Sequence, residues 1–433
     1  MLQKIAEDIA AKGGRCFYVG GYVRNQLMNI ALEDGEDIDI EVYFLGVKEL
    51  ISLLSHYGTP RLVGKSFPVI KISGHQEWDF TLPVKPDISF AEACARRDFT
   101  INSMMMDVLS GEVLDFYGGQ PDISNHIIKH TSPDVFVRDP LRVYRAVNFA
   151  ARLSFAIHPE TIELITSTDL SEVNRERIFE ELKKLLMLSP QPSIGLRYMH
   201  QTGILERMHP LLFKLIGCEQ SPQNHPEGDV WEHTLLVVDQ AARLKFRSSY
   251  PEVLMFAALV HDLGKPLTTK LKGDKITTYG HDVLGEQLAR TFLQELTHNR
   301  TLINEAAVLV REHMHPVLLY KDREQVTDKA VRKLVNRVNL TELLLLAEAD
   351  FMGRNVDRDF EVIRKWFMER AFSLGLDPDK KIEPLVQGRD LLKMGIKPGP
   401  AYTKFLADAF ELQLEGKTKE AILDHVKDQY FKL

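Results

Sequence analysis

The hydrophobic spacing of this chain changes once, near Asp139, and that change limits the folds open to it. Before it, runs such as CFYVGGYV, DIDIEVYFL and FPVIKISGHQEWDFTL have the short β-type pattern of strands, with a few helical stretches among them. After it, LRVYRAVNFAARL, ERIFEELKKLLML, VLMFAALVHDLG and LTELLLLAEADFM repeat apolar residues three and four apart, as helices with one buried face do. The pattern predicts an α+β fold: a small N-terminal mixed sheet with helices, then a helical array to the end. With 433 residues there is material for roughly two to four cores. Turn formers gather at residues 188–193, 218–229 and 375–384, which are the candidate joints.

Composition removes several alternatives. A chain 44% hydrophobic and 27% charged is neither disordered nor fibrous. The longest apolar run ends at His261 and falls far short of the about 18 residues a membrane span needs, so no membrane partner is expected. The opening MLQKIAEDIAAKGG carries acids in its first turns and reads as an amphipathic helix rather than a signal peptide. Cys16, Cys94 and Cys218 lie far apart and fit neither a disulfide framework nor a cysteine zinc site. The cytoplasm is the expected compartment. A net charge of −7 argues against a coat of positive charge but leaves room for a local basic stripe that binds phosphates.

Residues 33–41 are the most acidic stretch, and within them Asp37-Ile38-Asp39-Ile40 alternates carboxylate with isoleucine. In a strand Asp37 and Asp39 point together while Ile38 and Ile40 enter the core. Two parallel carboxylates repel unless a cation joins them, and hard oxygen ligands with open positions suit Mg²⁺ beside a substrate phosphate. Taken alone, the tripeptide also fits an edge strand whose acids face water. Asp79, in EWDFTLP, is a candidate third carboxylate as general base or metal ligand, and Glu77 faces the same side. Upstream, Gly20-Gly21 closes a β run just before Arg24; paired glycines admit a phosphate close to the backbone, and an arginine fork can hold its oxygens.

GGYVRNQL followed by DIDI resembles the active-site signature of class II tRNA nucleotidyltransferases and bacterial poly(A) polymerases, within the DNA polymerase beta nucleotidyltransferase superfamily. ARRDFTIN resembles the family's ribose-recognition segment, and DPLRVYR running into NFAARLSF resembles its base-selecting segment. The resemblance implies catalytic Asp37 and Asp39 holding Mg²⁺; Asp79 is the candidate third catalytic carboxylate, and the sequence does not decide between it and Glu77. It implies nucleotide binding by Gly20, Gly21, Arg24, Arg97, Asp98, Asn102, Asp139, Arg142 and Arg145. Arg97 would meet the triphosphate, Asp98 the sugar hydroxyl, and Asp139 with Arg142 the edge of cytosine or adenine. The local signals have plainer readings too: Asp98 as a helix cap, and Asp139-Pro140 as a helix start that leaves Leu141, Ala146 and Phe149 for packing. The chain departs from the family in carrying Arg138 where an acid is usual and Asn25 where an aspartate is usual, and its loop between residues 24 and 37 is slightly long.

A second constellation lies in the helical part. His233, His261-Asp262 and Asp350 sit on successive helices and offer the mixed nitrogen and oxygen set of metallo-phosphohydrolases. His281 and His313 are candidate phosphate contacts or ligands of a second metal. The pattern resembles an HD domain, and that resemblance implies phosphatase or 2',3'-cyclic phosphodiesterase activity with Ni²⁺, Mn²⁺ or a similar ion.

The expected organisation is a nucleotidyltransferase head over 1–126, a helical neck for base selection and RNA binding over 127–220, an HD domain over 221–355 and a helical tail over 356–433. The expected function is template-independent addition of CMP and AMP to the tRNA 3' end from CTP and ATP, by a monomer or homodimer. The rivals are a poly(A) polymerase or an enzyme adding only A or only CC, and an RNA-binding HD phosphohydrolase without transferase activity.

Overall fold

A computed structural model describes residues 1–31, 37–64, 69–273, 275–354, 359–396 and 398–430. Most of the acidic loop before Asp37, residues 32–36, lies outside that range. The chain forms two compact units, one of Met1–Leu185 and Ile194–Ile204, the other of Leu186–Ser193 and Leu205–Leu433. Among the described residues no helix is long and apolar enough to cross a membrane.

The first unit is built on a seven-stranded sheet. Its strands are β1 (Arg15–Val19), β2 (Ile38–Tyr43), β3 (Pro60–Val63), β4 (Val69–Ile72), β5 (His75–Thr81), β6 (Met105–Asp107) and β7 (Val113–Leu114), in the order β3-β4-β5-β2-β1-β6-β7. The β2–β5 pair is parallel and its neighbours antiparallel. Alternation sends Ile40 and Val42 to one face, where they meet Leu2, Ile5 and Ile9 of helix α1 (Leu2–Ala11) and Leu50, Leu53 and Leu54 of α2 (Val47–Leu54). The opposite face buries Phe17, Val19 and Tyr43 against Cys94 and Met105, with the Phe17 and Tyr43 rings edge to face at 5.7 Å. Asp39 and Glu41 share that second face with Tyr43, as period-two alternation requires.

Two helices complete the surroundings of the sheet, α3 (Arg142–Leu153) and α4 (Arg175–Leu188). Helix α3 starts later than the Asp139-Pro140 pair suggests. Leu141 stands at its N-cap, and Asp139 is in an extended conformation, with its Oδ1 accepting the Leu141 N–H at 3.3 Å.

The second unit is largely helical, including α5 (Val230–Leu244), α6 (Pro251–Val260), α7 (His281–Gln294), α8 (Arg300–Glu312) and α9 (Leu340–Met352). Every residue of α6 from Val253 to Val260 is buried, which explains its apolar run without a membrane. The expectation of helix alone after Asp139 fails in two places. Ile127–Ile128 pairs with Ala156–Ile157, and a small antiparallel ribbon joins Lys270–Lys272 to Lys275–Thr277. The ribbon is short and its first strand fully exposed, so it leaves no apolar periodicity to read.

Candidate active sites

In the first unit the sheet brings its carboxylates together at a cavity of about 930 Å³ lined by Gly20, Asp37, Asp39, Asp98, Asp139 and a ring of arginines. Asp37 sits just before β2 with its side chain 62% exposed, and the parallel register sets Asp39 directly beside Asp79 of β5. Glu77 turns instead to His75, its oxygen 3.2 Å from Nδ1. Burial raises the Asp39 carboxyl above its usual range; Asp79 and Asp37 add to the rise and Arg97 opposes it. Neighbouring carboxylates of this kind call for a positive charge. A residue not foreseen, Lys71 on β4, supplies a positive charge: its Nζ lies 2.5 Å from Asp79 Oδ1 and 3.1 Å from Asp37 Oδ1. Nothing in the local sequence of VIKIS distinguishes that lysine from any strand lysine.

Gly20 adopts φ 70° and ψ −134°, open to glycine and strained for any side chain. An added Cβ would also lie 3.5 Å from Asp39 Oδ2 and 3.4 Å from an Arg97 nitrogen, so glycine keeps the backbone close to both. Arg24 is buried and largely committed. It donates to Asn102 Oδ1 at 2.8 Å and forks onto Asn25 Oδ1 at 3.1 and 2.7 Å. Asn25, the departure from the family pattern, therefore still accepts an arginine fork, with a neutral oxygen in place of a charged one.

The chain of polar contacts runs on from Asn102, whose Nδ2 donates to Asp98 Oδ1 at 3.1 Å. The same oxygen accepts the Phe99 N–H, and Oδ2 lies 2.8 and 2.6 Å from two Arg145 nitrogens. Burial alone would raise the Asp98 carboxyl, but Arg145, Asn102 and the Phe99 N–H outweigh it and hold it below its usual value. Its four acceptor positions are filled, so a sugar hydroxyl reaching Asp98 must displace part of the Arg145 fork. Asp98 lies between two short helical elements and is not the cap of a long one.

Further along the cavity, Arg177 of α4 donates to Asp139 Oδ2 at 3.0 Å, and Arg142 donates to the Arg96 carbonyl at 2.9 Å. Arg97 binds Glu41 at 3.2 Å. Phe149 does not simply pack: it lines the cavity with Arg24, Arg145 and Arg152 guanidiniums 5.3, 5.5 and 5.9 Å from its ring. The sequence pattern gave Phe149 a place on the apolar stripe and left Arg177 without a role. Arg138 points elsewhere, to Ser132 Oγ at 2.5 Å, Asp134 at 2.9 Å and the Ala95 carbonyl at 3.1 Å. Arg138→Glu should therefore leave the ratio of CMP to AMP incorporation within about twofold of the parent, because the contacts it removes are to Ser132, Asp134 and the Ala95 carbonyl. A larger change in competition assays would show that residue 138 acts on selection.

The second unit assembles the other constellation. His233 of α5, His261 and Asp262 after α6, His281 of α7, His313 after α8 and Asp350 of α9 are all buried. His261, His281 and His313 each hold Nδ1 against a backbone carbonyl, at 2.8, 2.7 and 2.6 Å from the oxygens of Ala258, Thr278 and Val310. A carbonyl only accepts, so each ring carries its proton on Nδ1 and turns a bare Nε2 inward. Those of His281 and His313 stop 3.8 and 4.0 Å from Asp262 Oδ1, too far for a hydrogen bond. His261 Nε2 lies 3.1 Å from Asp262 Oδ2, and His233 Nε2 lies 3.0 Å from Asp350 Oδ1. Nε2 of His281 and Oδ1 of Asp262 are buried without a hydrogen-bond partner, which fits a cation at their centre. Burial and the neighbouring His261 and His281 push the His313 imidazole down to about 3, so it stays a neutral donor of a lone pair.

Four residues of this centre have no counterpart in the sequence reading. Lys265 Nζ lies 2.7 Å from Asp262 Oδ2, and Arg354 holds Asp350 Oδ2 at 2.6 Å. Glu227 Oε1 lies 2.8 Å from Nδ1 of both His225 and His233. The His225 and His233 bonds help hold Glu227 ionised, at about 2, although burial works the other way. Both Glu227 and His225 fall in the stretch 218–229, whose turn formers signal only a joint.

Residues 68–129 match the model of the poly A polymerase head domain, residues 154–215 that of the "Probable RNA and SrmB-binding site of polymerase A", and residues 230–352 that of the HD domain. The multifunctional CCA protein of Actinobacillus pleuropneumoniae serotype 5b is 33% identical over 392 residues, 82% of this chain and 90% of that protein. That of Xanthomonas campestris pv. campestris is 31% identical over 433 residues, 91% and 97% of the two chains. The CCA-adding enzyme of Bacillus stearothermophilus, solved with CTP, shares the fold with a TM-score of 0.69 at 21% identity over 100% of this chain and 97% of its own. The Thermotoga maritima CCA-adding enzyme, solved with tRNA, gives a TM-score of 0.61 at 20% identity over 99% and 94%.

Proposed function

This chain belongs to the family of the multifunctional CCA proteins, and from that premise we propose how its residues divide the work. It is a nucleotidyltransferase that adds CMP and AMP to the tRNA 3' end from CTP and ATP without a template, and it carries an HD phosphohydrolase domain. The observation that carries the assignment of the transfer site is the register of β2 and β5, which sets Asp39, a lining residue of the arginine-rich cavity, beside Asp79.

Asp37 and Asp39 hold Mg²⁺, which when bound stabilises charge developing on the α-phosphate and the pyrophosphate leaving group. Asp79 serves as the base for the 3' hydroxyl or as a third ligand. Gly20 and Gly21 let the triphosphate approach the backbone, and Arg24, Arg97 and Arg145 oppose its charge. Asn102 and Asp98 fix the sugar side. Asp139 supplies an acceptor and Arg142 donors to the edge of the base, and both exchange their present partners, Arg177 and the Arg96 carbonyl, for the nucleotide. We assign the head to residues 1–126, the neck to 127–220, the HD domain to 221–355 and the tail to 356–433, and place the protein in the cytoplasm as a monomer or homodimer.

In the HD domain His233, His261, Asp262 and Asp350 hold a transition-metal ion, and His281 and His313 bind a second ion or the substrate phosphate. Incubation with tRNA lacking its terminal CCA, with CTP and ATP supplied separately and then together, tests the transfer reading. CMP should enter with CTP alone, and AMP should follow only after it. AMP runs without CMP would mark a poly(A) or A-only enzyme instead.

A further inference from the structure

Glu227 occupies a place that neither the transfer reaction nor the metal-ligand set uses. It is buried, with its side chain 1% exposed, between two imidazoles. One oxygen, Oε1, lies 2.8 Å from Nδ1 of His225 and 2.8 Å from Nδ1 of His233, and the two rings meet edge to face at 4.8 Å. The far nitrogen of His233, Nε2, is the one that faces Asp350 Oδ1 at 3.0 Å and Asp262 Oδ2 at 3.8 Å. His233 is therefore the odd member of the histidine set. His261, His281 and His313 fix their rings with a backbone carbonyl from three residues earlier, whereas Nδ1 of His233 faces a carboxylate.

We propose that Glu227 is a positioning residue for the HD centre: Nε2 of His233 is hydrogen-bonded to Asp350 as it stands, and the Glu227 carboxylate, 2.8 Å from Nδ1, takes the His233 proton on that side when a metal ion claims Nε2. The proposal rests on the reading of this cluster as a metal centre and adds a residue to it. A carboxylate behind a ligating imidazole fixes tautomer and ring orientation and raises the basicity of the ligand. A cation in place of the proton, held by His225, Glu227 and His233 together, is the competing arrangement. It requires His233 to surrender both ring protons to serve two ions at once, a far more demanding state than a neutral imidazole.

The test is calorimetric titration of the full-length protein with Mn²⁺, for the parent and for His261→Ala, Glu227→Gln and Glu227→Ala. The binding lost in His261→Ala is the part that belongs to the HD centre. Glu227→Gln keeps the shape and an acceptor oxygen, and should weaken that binding by about tenfold, with Glu227→Ala weaker still. Melting temperature without metal and nucleotide addition serve as controls for folding and should stay at parental values in Glu227→Gln. Parental Mn²⁺ affinity in Glu227→Gln and Glu227→Ala overturns the proposal. So does the loss of one equivalent of Mn²⁺ from His225→Ala at unchanged affinity for the rest, which would put an ion where we place a proton. Equal binding by the parent and His261→Ala instead refutes the metal-centre reading itself.

Discussion

Asp39→Ala is expected to reduce nucleotide addition by about a thousandfold or more while leaving hydrolysis of 2',3'-cyclic nucleotides at the parental rate. The carboxylate stands between Asp79 on the neighbouring strand and Asp37 two residues upstream, and burial together with both of them raises its carboxyl above the usual range. A carboxylate beside two others is a ligand for a cation that joins the cluster, so its removal takes a metal ligand and a fixed negative charge together. Asp39→Asn sharpens the test. It keeps volume and one oxygen, and if geometry alone mattered it would retain addition. Loss comparable to Asp39→Ala, measured as incorporation of labelled CMP in Mg²⁺, identifies charge as the requirement. Addition at parental rates in either variant would remove Asp39 from the site.

Much of that site was legible because its signals are local. Asp37 and Asp39 are two apart at the start of β2, Asp37 just before it and Asp39 within it, Gly20 needs a positive φ at a fixed step from β1, and the HD pair is contiguous. Period-two alternation also placed Ile40 in the core and Asp39 on the other face correctly. What escaped was partnership across sequence. Lys71 reaches Asp37 over 34 positions, Arg177 reaches Asp139 over 38, and no periodicity encodes either contact. Phe149 packs edge to face on Phe99 as its place on the apolar stripe suggests, but its second role escaped for a related reason: such a ring looks the same whether or not it also meets three guanidiniums. Helix starts failed through chemistry that sequence does underdetermine, since an Asp-Pro pair can open a helix or, as here, an extended step two residues before one.

The complementary substitution makes the two activities separable. His261→Ala is expected to abolish Mn²⁺- or Ni²⁺-dependent phosphodiesterase activity, by about a thousandfold or more, and to leave CMP and AMP addition unchanged. His261 is fully buried, its Nδ1 is tied to the Ala258 carbonyl, and its Nε2 is turned to Asp262 Oδ2 3.1 Å away, so the ring presents its second nitrogen beside the carboxylate of the cluster. In the metal-free arrangement Asp262 and Asp350 raise the His261 imidazole above its usual value in spite of burial, which is the response of a base surrounded by anions. A divalent ion competes with that proton, and hydrolysis should therefore fall as pH drops and protons displace the ion. Alanine removes the nitrogen, leaves Asp262 with Lys265 as its nearest cation, and gives the ion one fewer ligand. Asp262→Asn should reach the same endpoint by a different route, keeping the shape but losing the charge that draws the ion in. If His261→Ala lost both activities together while keeping its melting temperature, the hydrolytic centre would be coupled to transfer. If it lost neither, the cluster of imidazoles would be a packed core and the hydrolase assignment would fall.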